Sequence, residues 1–197
     1  VRDSAALLDA TTERETFAPY AAPAAAHTFL EETRRAPGKL RIAYTTRPHL
    51  PGETHPDCVR AVEDVAKLCA SLGHHVEEAA PALDGHAFAR DFVTHIAVAT
   101  AASLELCEEV LGRVAKREDV HTETWLIAML GRTIAATELT KARHRLHAQT
   151  RRLASFYDRY DVLLTPTLGM PPVRIGELAP GRIEALLHEA IARADAR

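Results

Sequence analysis

The apolar positions between residues 40 and 80 follow two different periods. Leu40, Ile42 and Tyr44 alternate with more polar residues, which predicts a half-buried β-strand. After Pro56, which suits the first turn of a helix, apolar side chains recur every three or four residues and so share one helical face. The residues of this predicted stripe are Cys58, Val62, Val65, Cys69 and Leu72.

The ends of this helix are also marked in the sequence. Thr54 and Asp57 have the spacing of a variant capping box, and Gly73 suits the left-handed position that ends a helix. A second strand is predicted around Val76, so residues 40–80 form a βαβ unit. Because Val65 belongs to the predicted stripe, Val65→Asp is expected to cost several kcal/mol of stability.

Helical patterns fill much of the remaining chain. The alanine-rich segment 85–110 predicts one long helix, and residues 122–160 predict one long helix or two, with a break at Gly131. A stripe in the second part of that segment is expected to pack on the core; it comprises Leu139, Ala142, Leu146, Leu153 and Tyr157. Further helices are predicted over 1–9, 27–35 and 182–197, and residues 11–26 are predicted to form a surface connection.

A short apolar run, Val162 to Leu164, predicts a third strand, buried on both faces as in a parallel sheet. Pro166 ends it, because proline lacks the N–H that a strand ladder needs. Ligands of open α/β sheets bind beyond the carboxyl ends of the strands. Thr165, Pro166 and Thr167 are therefore candidates for a substrate pocket, with Met170 as a flexible wall. The alternative is that the threonines only satisfy backbone groups and Met170 only packs the loop.

Composition describes an ordinary globular protein. The 197 residues are 47% hydrophobic and 26% charged, which argues against disorder. A net charge of −3 gives no general attraction to nucleic acid or anionic membranes. No apolar run approaches the roughly 18 residues of a membrane helix, and the charged first residues do not suit a signal peptide. These features predict a protein without a membrane segment.

The cysteines and histidines do not form a recognisable site. Three cysteines without CxxC spacing predict reduced thiols and a cytoplasmic protein, with Cys58 and Cys69 as small buried side chains. His144 and His147 share a helix face, but the sequence offers no third ligand of a zinc motif. No metal or cofactor is predicted.

The sequence predicts neither nucleic-acid binding nor a serine nucleophile. The basic residues of segment 141–152 are diluted by acidic neighbours and lack interleaved aromatics, so a solvated helix face is predicted and no nucleic-acid partner. Ser103 and Ser155 lie within predicted helices rather than on a sharp turn, so neither is a candidate nucleophile.

Four stretches resemble one enzyme family. They are VRDSAALLDA at 1–10, PGKLRIAYTTRPH at 37–49, HPDCVRAVEDVAKLCASLGHHVEEAAP at 55–81 and DVLLTPTLGMPPVRIGEL at 161–178. Together they resemble the amidase-signature hydrolases, which cleave carboxylic amides with a Ser–Ser–Lys triad. The resemblance implies an α/β fold, part of the family's α/β/α architecture, with a few-stranded mixed sheet flanked by helices. It places Thr165, Pro166, Thr167 and Met170 beside the substrate cleft. It also makes Trp125 and His95 candidates for facing that cleft, and the alternative for each is packing in the core or on the surface.

The family's catalytic parts have no counterpart in this sequence. No glycine among the nine is followed by a serine at either of the next two positions, so the Gly/Ser-rich nucleophile loop is missing. The family's upstream lysine is missing too. The chain is therefore predicted to be a single incomplete domain over 1–197 with no catalytic residue of its own. It would form a pocket wall and scaffold for a small-molecule amide substrate, and would self-associate or bind the missing amidase core.

The alternative is a non-catalytic binding or scaffold protein. The same α/β unit could bind a small molecule at the strand end 165–167, or serve as a scaffold like the amidase-like subunit of an amidotransferase.

Overall fold

The computed structural model describes residues 1–12, 25–50 and 52–194, so most of the predicted connection 11–26 lies outside the described residues. The chain divides into two compact units, Val1–Leu40 and Arg41–Arg197. In the first unit, helix α1 spans Arg2–Thr11 and helix α2 spans Phe29–Glu32, as predicted. The Asp9 carboxylate accepts hydrogen bonds from the backbone N–H groups of Phe29 (2.7 Å) and Leu30 (3.0 Å), so α1 caps the start of α2.

The second unit contains a three-stranded sheet in the order β2-β1-β3. Strand β1 spans Arg41–Tyr44, β2 spans His75–Glu78 and β3 spans Val162–Leu164. Both outer strands run parallel to β1, with Ile42 opposite Val76 and Val162. The predicted α/β class is confirmed, although the described strands form a purely parallel sheet rather than a mixed one.

Helix α3, Pro56–Ser71, connects β1 to β2 and completes the predicted βαβ unit. Its cap differs from the prediction: His55, not Thr54, is the N-cap, and its Nδ1 accepts from the Asp57 N–H at 3.2 Å. Pro56 occupies the first turn, and Gly73 has the positive φ of 92° that lets the chain leave the helix.

The buried face of α3 is also rotated from the predicted stripe. Val62 and Ala66 are buried, whereas Val65 is 43% and Leu72 is 68% exposed. At about 100° per residue, the buried Val62 and Ala66 lie to one side of the centre of this stripe, and Val65 and Leu72 lie to the other. Val65 therefore lies at the edge of the contact, and the expectation that Val65→Asp costs several kcal/mol is wrong.

The described residues of the second unit also include a short 3₁₀ helix, Arg117–Asp119, and four further α-helices: α4 (Gly85–Leu111), α5 (Thr122–Thr133), α6 (Ala136–Tyr157) and α7 (Arg182–Ala194). The predicted break falls just after Gly131, at residues 134–135. Gly131 lies so close to α4 that an added Cβ would be 2.0 Å from the Ala97 carbonyl oxygen. The core of this layer comprises Ala101, Leu104, Trp125, Ala128 and Ala192.

The predicted stripe of α6 packs largely as expected. Ala142 is fully buried, and Leu139, Leu146 and Leu153 are half-buried. Tyr157 is the exception at 46% exposed, whereas Tyr160, just after α6, is 3% exposed. Among the described residues, no helix has both the length and the hydropathy needed to cross a bilayer.

An ion pair fixes the amino-terminal ends of β1 and β3. The Arg41 guanidinium donates to Asp161 Oδ1 at 2.7 Å, and the Arg41 backbone N–H donates to Asp161 Oδ2 at 2.7 Å. The Arg41 hydrogen bonds lower the pKa of Asp161 from 3.8 to about 2. A carboxyl whose pKa is lower in the folded state stabilises the fold above its unfolded pKa, and this contribution disappears as the pH falls through the folded pKa.

Asp161→Asn removes this titration and supplies the first test. The wild-type chain is expected to melt above the variant at pH 6, and the gap is expected to close as the pH falls from about 4 to about 2. Thermal melts followed by circular dichroism across this range measure the gap. Because both side chains are partly exposed, high salt should also narrow it. A gap that stays constant down to pH 2 would contradict the assignment.

Candidate functional site at the carboxyl edge of the sheet

The three parallel strands end at the same edge of the sheet, after Tyr44, Glu78 and Leu164. Two backbone hydrogen bonds continue the pairing past this edge. The Thr45 N–H donates to the Leu164 carbonyl at 3.0 Å, and the Ala79 N–H donates to the Tyr44 carbonyl at 3.0 Å. The residues just beyond β1 and β3 are therefore held side by side, as expected for a ligand-binding edge.

The connection from β1 to α3 positions the loop that follows β3. The His55 N–H donates to the Gly169 carbonyl at 2.8 Å, so the first turn of α3 holds the far end of this loop. The Thr54 hydroxyl donates to the Thr46 carbonyl at 2.6 Å and stiffens the connection itself. The loop 165–170 is thus fixed at both ends by backbone bonds to one neighbouring segment.

The predicted strand-end residues all lie in this loop. Thr165 and Thr167 are exposed, Pro166 is half-buried and Met170 is 54% exposed. The loop therefore presents two hydroxyls and one thioether to its surroundings. Such groups can donate or accept a hydrogen bond and provide apolar contact, but a threonine without an adjacent base is not an activated nucleophile.

Sequence reasoning missed Thr45. Its side chain is only 2% exposed, and its hydroxyl accepts from the Arg47 N–H at 3.2 Å, so it shapes the turn after β1. Its position in the sequence could have indicated Thr45. It directly follows the first predicted strand, and parallel strands end at the same edge of a sheet.

The structure places Trp125 and His95 on the helices instead. Trp125 is 6% exposed within the helical core, and the Arg132 guanidinium lies 5.2 Å from its ring centroid. Trp125 is thus a core residue in this chain, and its burial does not support direct contact with a substrate. His95 is exposed on α4, on the side that carries the stacked rings of Phe88 and Phe92, whose centroids are 5.7 Å apart.

A buried ion pair connects α4 to α6. Asp91 is fully buried and accepts two hydrogen bonds of 2.8 Å from Arg145, with a third from Arg90 at 3.1 Å. The Arg145 bonds lower the pKa of Asp91, so the carboxylate stays charged at neutral pH. Arg145 was predicted to belong to a solvated basic face, which is wrong for this residue because its charge neutralises Asp91.

An open groove of about 820 Å³ adjoins this pair. Its lining residues are Arg90, Thr94, Thr133, Ile134, Ala135, Glu138 and Arg145. Both arginines are committed to Asp91, and Glu138 is acidic, so the groove has no excess positive charge for an anion. We assign the ion pair a structural role.

The other basic residues of α6 are exposed, and the His144–His147 pair lies on a shallow surface groove of about 320 Å³. In the described part of the chain, no group of three or more His, Cys, Asp or Glu side chains could hold a metal ion. The three thiols are unpaired; Cys58 and Cys69 are half-buried, and Cys107 is exposed.

Neither serine considered above lies on a catalytic turn. Ser103 and Ser155 are exposed residues within α4 and α6, and the Ser155 hydroxyl donates to the Arg152 carbonyl at 2.8 Å. At the carboxyl edge of the parallel sheet, the described residues therefore place a fixed loop with exposed hydroxyls.

A parallel α/β sheet with this strand-end loop agrees with the resemblance seen in the sequence, and the family comparison confirms it. The chain belongs to the amidase family, whose model, described as Amidase, matches residues 1–188.

Two relatives and one solved structure show how far the similarity extends. The chain is 29% identical to the 6-aminohexanoate-cyclic-dimer hydrolase of Pseudomonas sp. (strain NK87), over 90% of this chain and 37% of the relative. It is 27% identical to the lipoamidase of Enterococcus faecalis, over 64% of this chain and 17% of the relative. A solved structure of 6-aminohexanoate cyclic dimer hydrolase matches with a TM-score of 0.84 and 28% identity, over 91% of this chain and 38% of that chain. The chain thus spans little more than a third of the first relative's length.

Proposed function

We propose that this chain is the supporting flank of a carboxylic-amide hydrolase. It forms part of the substrate-pocket wall and the outer scaffold, and the nucleophile lies on polypeptide outside these residues. The observation that carries the proposal is the loop 165–170, which two backbone bonds hold at the carboxyl edge while it exposes hydroxyls and a thioether. No activated nucleophile accompanies it within the described residues.

Each part of the wall has a defined role in this proposal. The Thr165 and Thr167 hydroxyls hydrogen-bond polar groups of the substrate, and Pro166 fixes the turn between them. Met170 adapts to the apolar part of the substrate. His95, exposed on α4, faces the cleft that the remaining polypeptide completes.

The reaction assigned to the complete enzyme is acyl transfer to water. A serine oxygen attacks the amide carbonyl carbon, the C–N bond breaks and the amine leaves with a proton. Water then attacks the acyl-serine ester and releases the carboxylic acid. The unpaired thiols suit a reducing compartment, so we place the enzyme in the cytoplasm.

A serine-directed fluorophosphonate probe tests this division of labour. The 197-residue chain is expected to remain unlabelled, and the product of the complete reading frame is expected to take up one equivalent. That product should hydrolyse a small amide from a panel including the cyclic dimer of 6-aminohexanoate and lipoamide. Stoichiometric labelling of the 197 residues would overturn the proposal, and so would a complete product that neither reacts with the probe nor hydrolyses an amide.

The pocket wall has its own test in the complete product. Thr167→Val is expected to raise KM about fivefold, the loss of roughly one hydrogen bond, with a smaller effect on kcat. Thr140→Val is the control, because this threonine lies on α6 and its hydroxyl donates within the helix to the Ala136 carbonyl. Equal KM values for the two variants would remove Thr167 from the site.

A further inference from the structure

Helix α7 packs with its apolar side turned away from the core. Four large aliphatic side chains recur along it and share one face: Ile183, Leu186, Leu187 and Ile191, hereafter the α7 apolar face. They are 85%, 71%, 58% and 45% exposed, respectively. Ala192 lies on the opposite side of the helix and is 2% exposed. An amphipathic helix on a complete domain normally shows the reverse arrangement.

The contacts of the buried side hold α7 in this orientation. Ala192 belongs to the core cluster with Trp125 and Ala128, where its small side chain permits close approach to α5. Glu189 forms an ion pair with Arg117, and Arg193 Nε donates to the same carboxylate at 3.1 Å. Turning the α7 apolar face inward would break the core contact of Ala192 and the ion pair between Glu189 and Arg117.

Exposed aliphatic side chains also occur in the segment that precedes the helix. Ile175 and Leu178, in the segment that leads into α7, are 107% and 78% exposed. Six exposed aliphatic side chains thus lie within 17 residues of the sequence. Soluble monomers rarely expose large contiguous apolar patches. Such a surface is typical of an interface.

We infer that the α7 apolar face is covered by the part of the amidase polypeptide that these 197 residues do not include. This inference rests on the proposed function. The chain covers only 38% of the matched hydrolase structure, although 91% of its own length is matched. More than half of that structure therefore has no counterpart here and is available to pack on exposed faces.

The charges of α7 disfavour a membrane as the occupant. Helices that bind membrane surfaces carry an excess of lysine and arginine on their polar side. Within Arg182–Ala194 two arginines balance two glutamates, and Arg193 is already paired with Glu189. A second copy of the chain is the other candidate for covering the α7 apolar face. Thiol labelling distinguishes that copy from the missing amidase polypeptide.

Thiol labelling at one position of α7 and at one control position tests the inference. Leu187→Cys reports on the α7 apolar face, and Lys67→Cys on α3, whose native side chain is 73% exposed, is the control. Both variants also carry Cys107→Ser, and the labelling rate of the chain with Cys107→Ser alone is subtracted. In the complete reading-frame product, Leu187→Cys is expected to react with a maleimide at least tenfold more slowly than in the 197-residue chain. Lys67→Cys is expected to react at similar rates in both.

The other outcomes are equally decisive. Equal rates for Leu187→Cys in both proteins would overturn the inference, as would a reading frame that adds no residues. Protection in the 197-residue chain that grows with concentration would assign the face to a second copy instead. Protection in a complete product that hydrolyses no amide would retain the interface and refute the proposed function.

Discussion

The Val62→Asp chain is expected to lose its stable fold. Val62 is 4% exposed at the centre of the face that α3 turns inward, so an aspartate there would be charged, buried and unpaired. The expected cost is roughly 4 kcal/mol, a large part of the stability of a domain of this size. Urea unfolding followed by circular dichroism should show a shifted midpoint, or no folded baseline.

Val65→Asp provides the matched comparison, one helical turn away with the same chemical change. Because Val65 is 43% exposed, its carboxylate can stay hydrated, and the expected cost is below about 1 kcal/mol. A Val65→Asp chain as unstable as Val62→Asp would mean that the stripe read from the sequence, and not the observed face, is the buried one.

Gly131→Ala is expected to destabilise the chain by about 2 kcal/mol or more, although alanine is the better helix former. The propensity gain within a helix is about 1 kcal/mol. Against it, the new Cβ would lie 2.0 Å from the Ala97 carbonyl oxygen and 2.5 Å from the carbonyl carbon, both backbone atoms. Only separation of α5 from α4 relieves this clash, and that would loosen the core around Trp125.

Gly169→Ala is the control for this substitution. A Cβ at Gly169 meets nothing within 4 Å, so alanine should be neutral or slightly stabilising through the unfolded state. Thermal melts of both variants measure the difference. A Gly131→Ala chain that melts at or above the wild-type temperature would contradict the close packing of α4 against α5.

Local features of the fold could be predicted because their causes are local. The alternation around Ile42, the proline at the start of α3 and Gly73 at its end specify a strand and a bounded helix in any context. The apolar run ended by Pro166 likewise predicts a strand end, and the carboxyl-edge rule then selects the loop 165–170. The exact capping residue was missed because His55 and Thr54 both offer an acceptor, and only the path of the chain decides between them.

The candidate site was predictable only in part for the same reason. Thr165, Pro166, Thr167 and Met170 are adjacent in sequence, so one rule places them together. A tryptophan suits the lining of a cleft and the interior of a core equally well, so the residue type does not decide the place of Trp125. Only its neighbours on α4 and α7 place it in the core. The pairing of Asp91 with Arg145 joins residues 54 positions apart, and no periodicity within either helix indicates it.

The sequence by itself determined the βαβ unit, the helices around it, the strand-end loop and the family resemblance, since these depend on neighbouring residues and on motifs. The tertiary structure alone decided which face of α3 is buried, that Arg145 neutralises Asp91, and that α7 turns its apolar side outward. The physical reason is that burial and charge pairing depend on what lies across a contact, and the residues on its two sides are far apart along the chain.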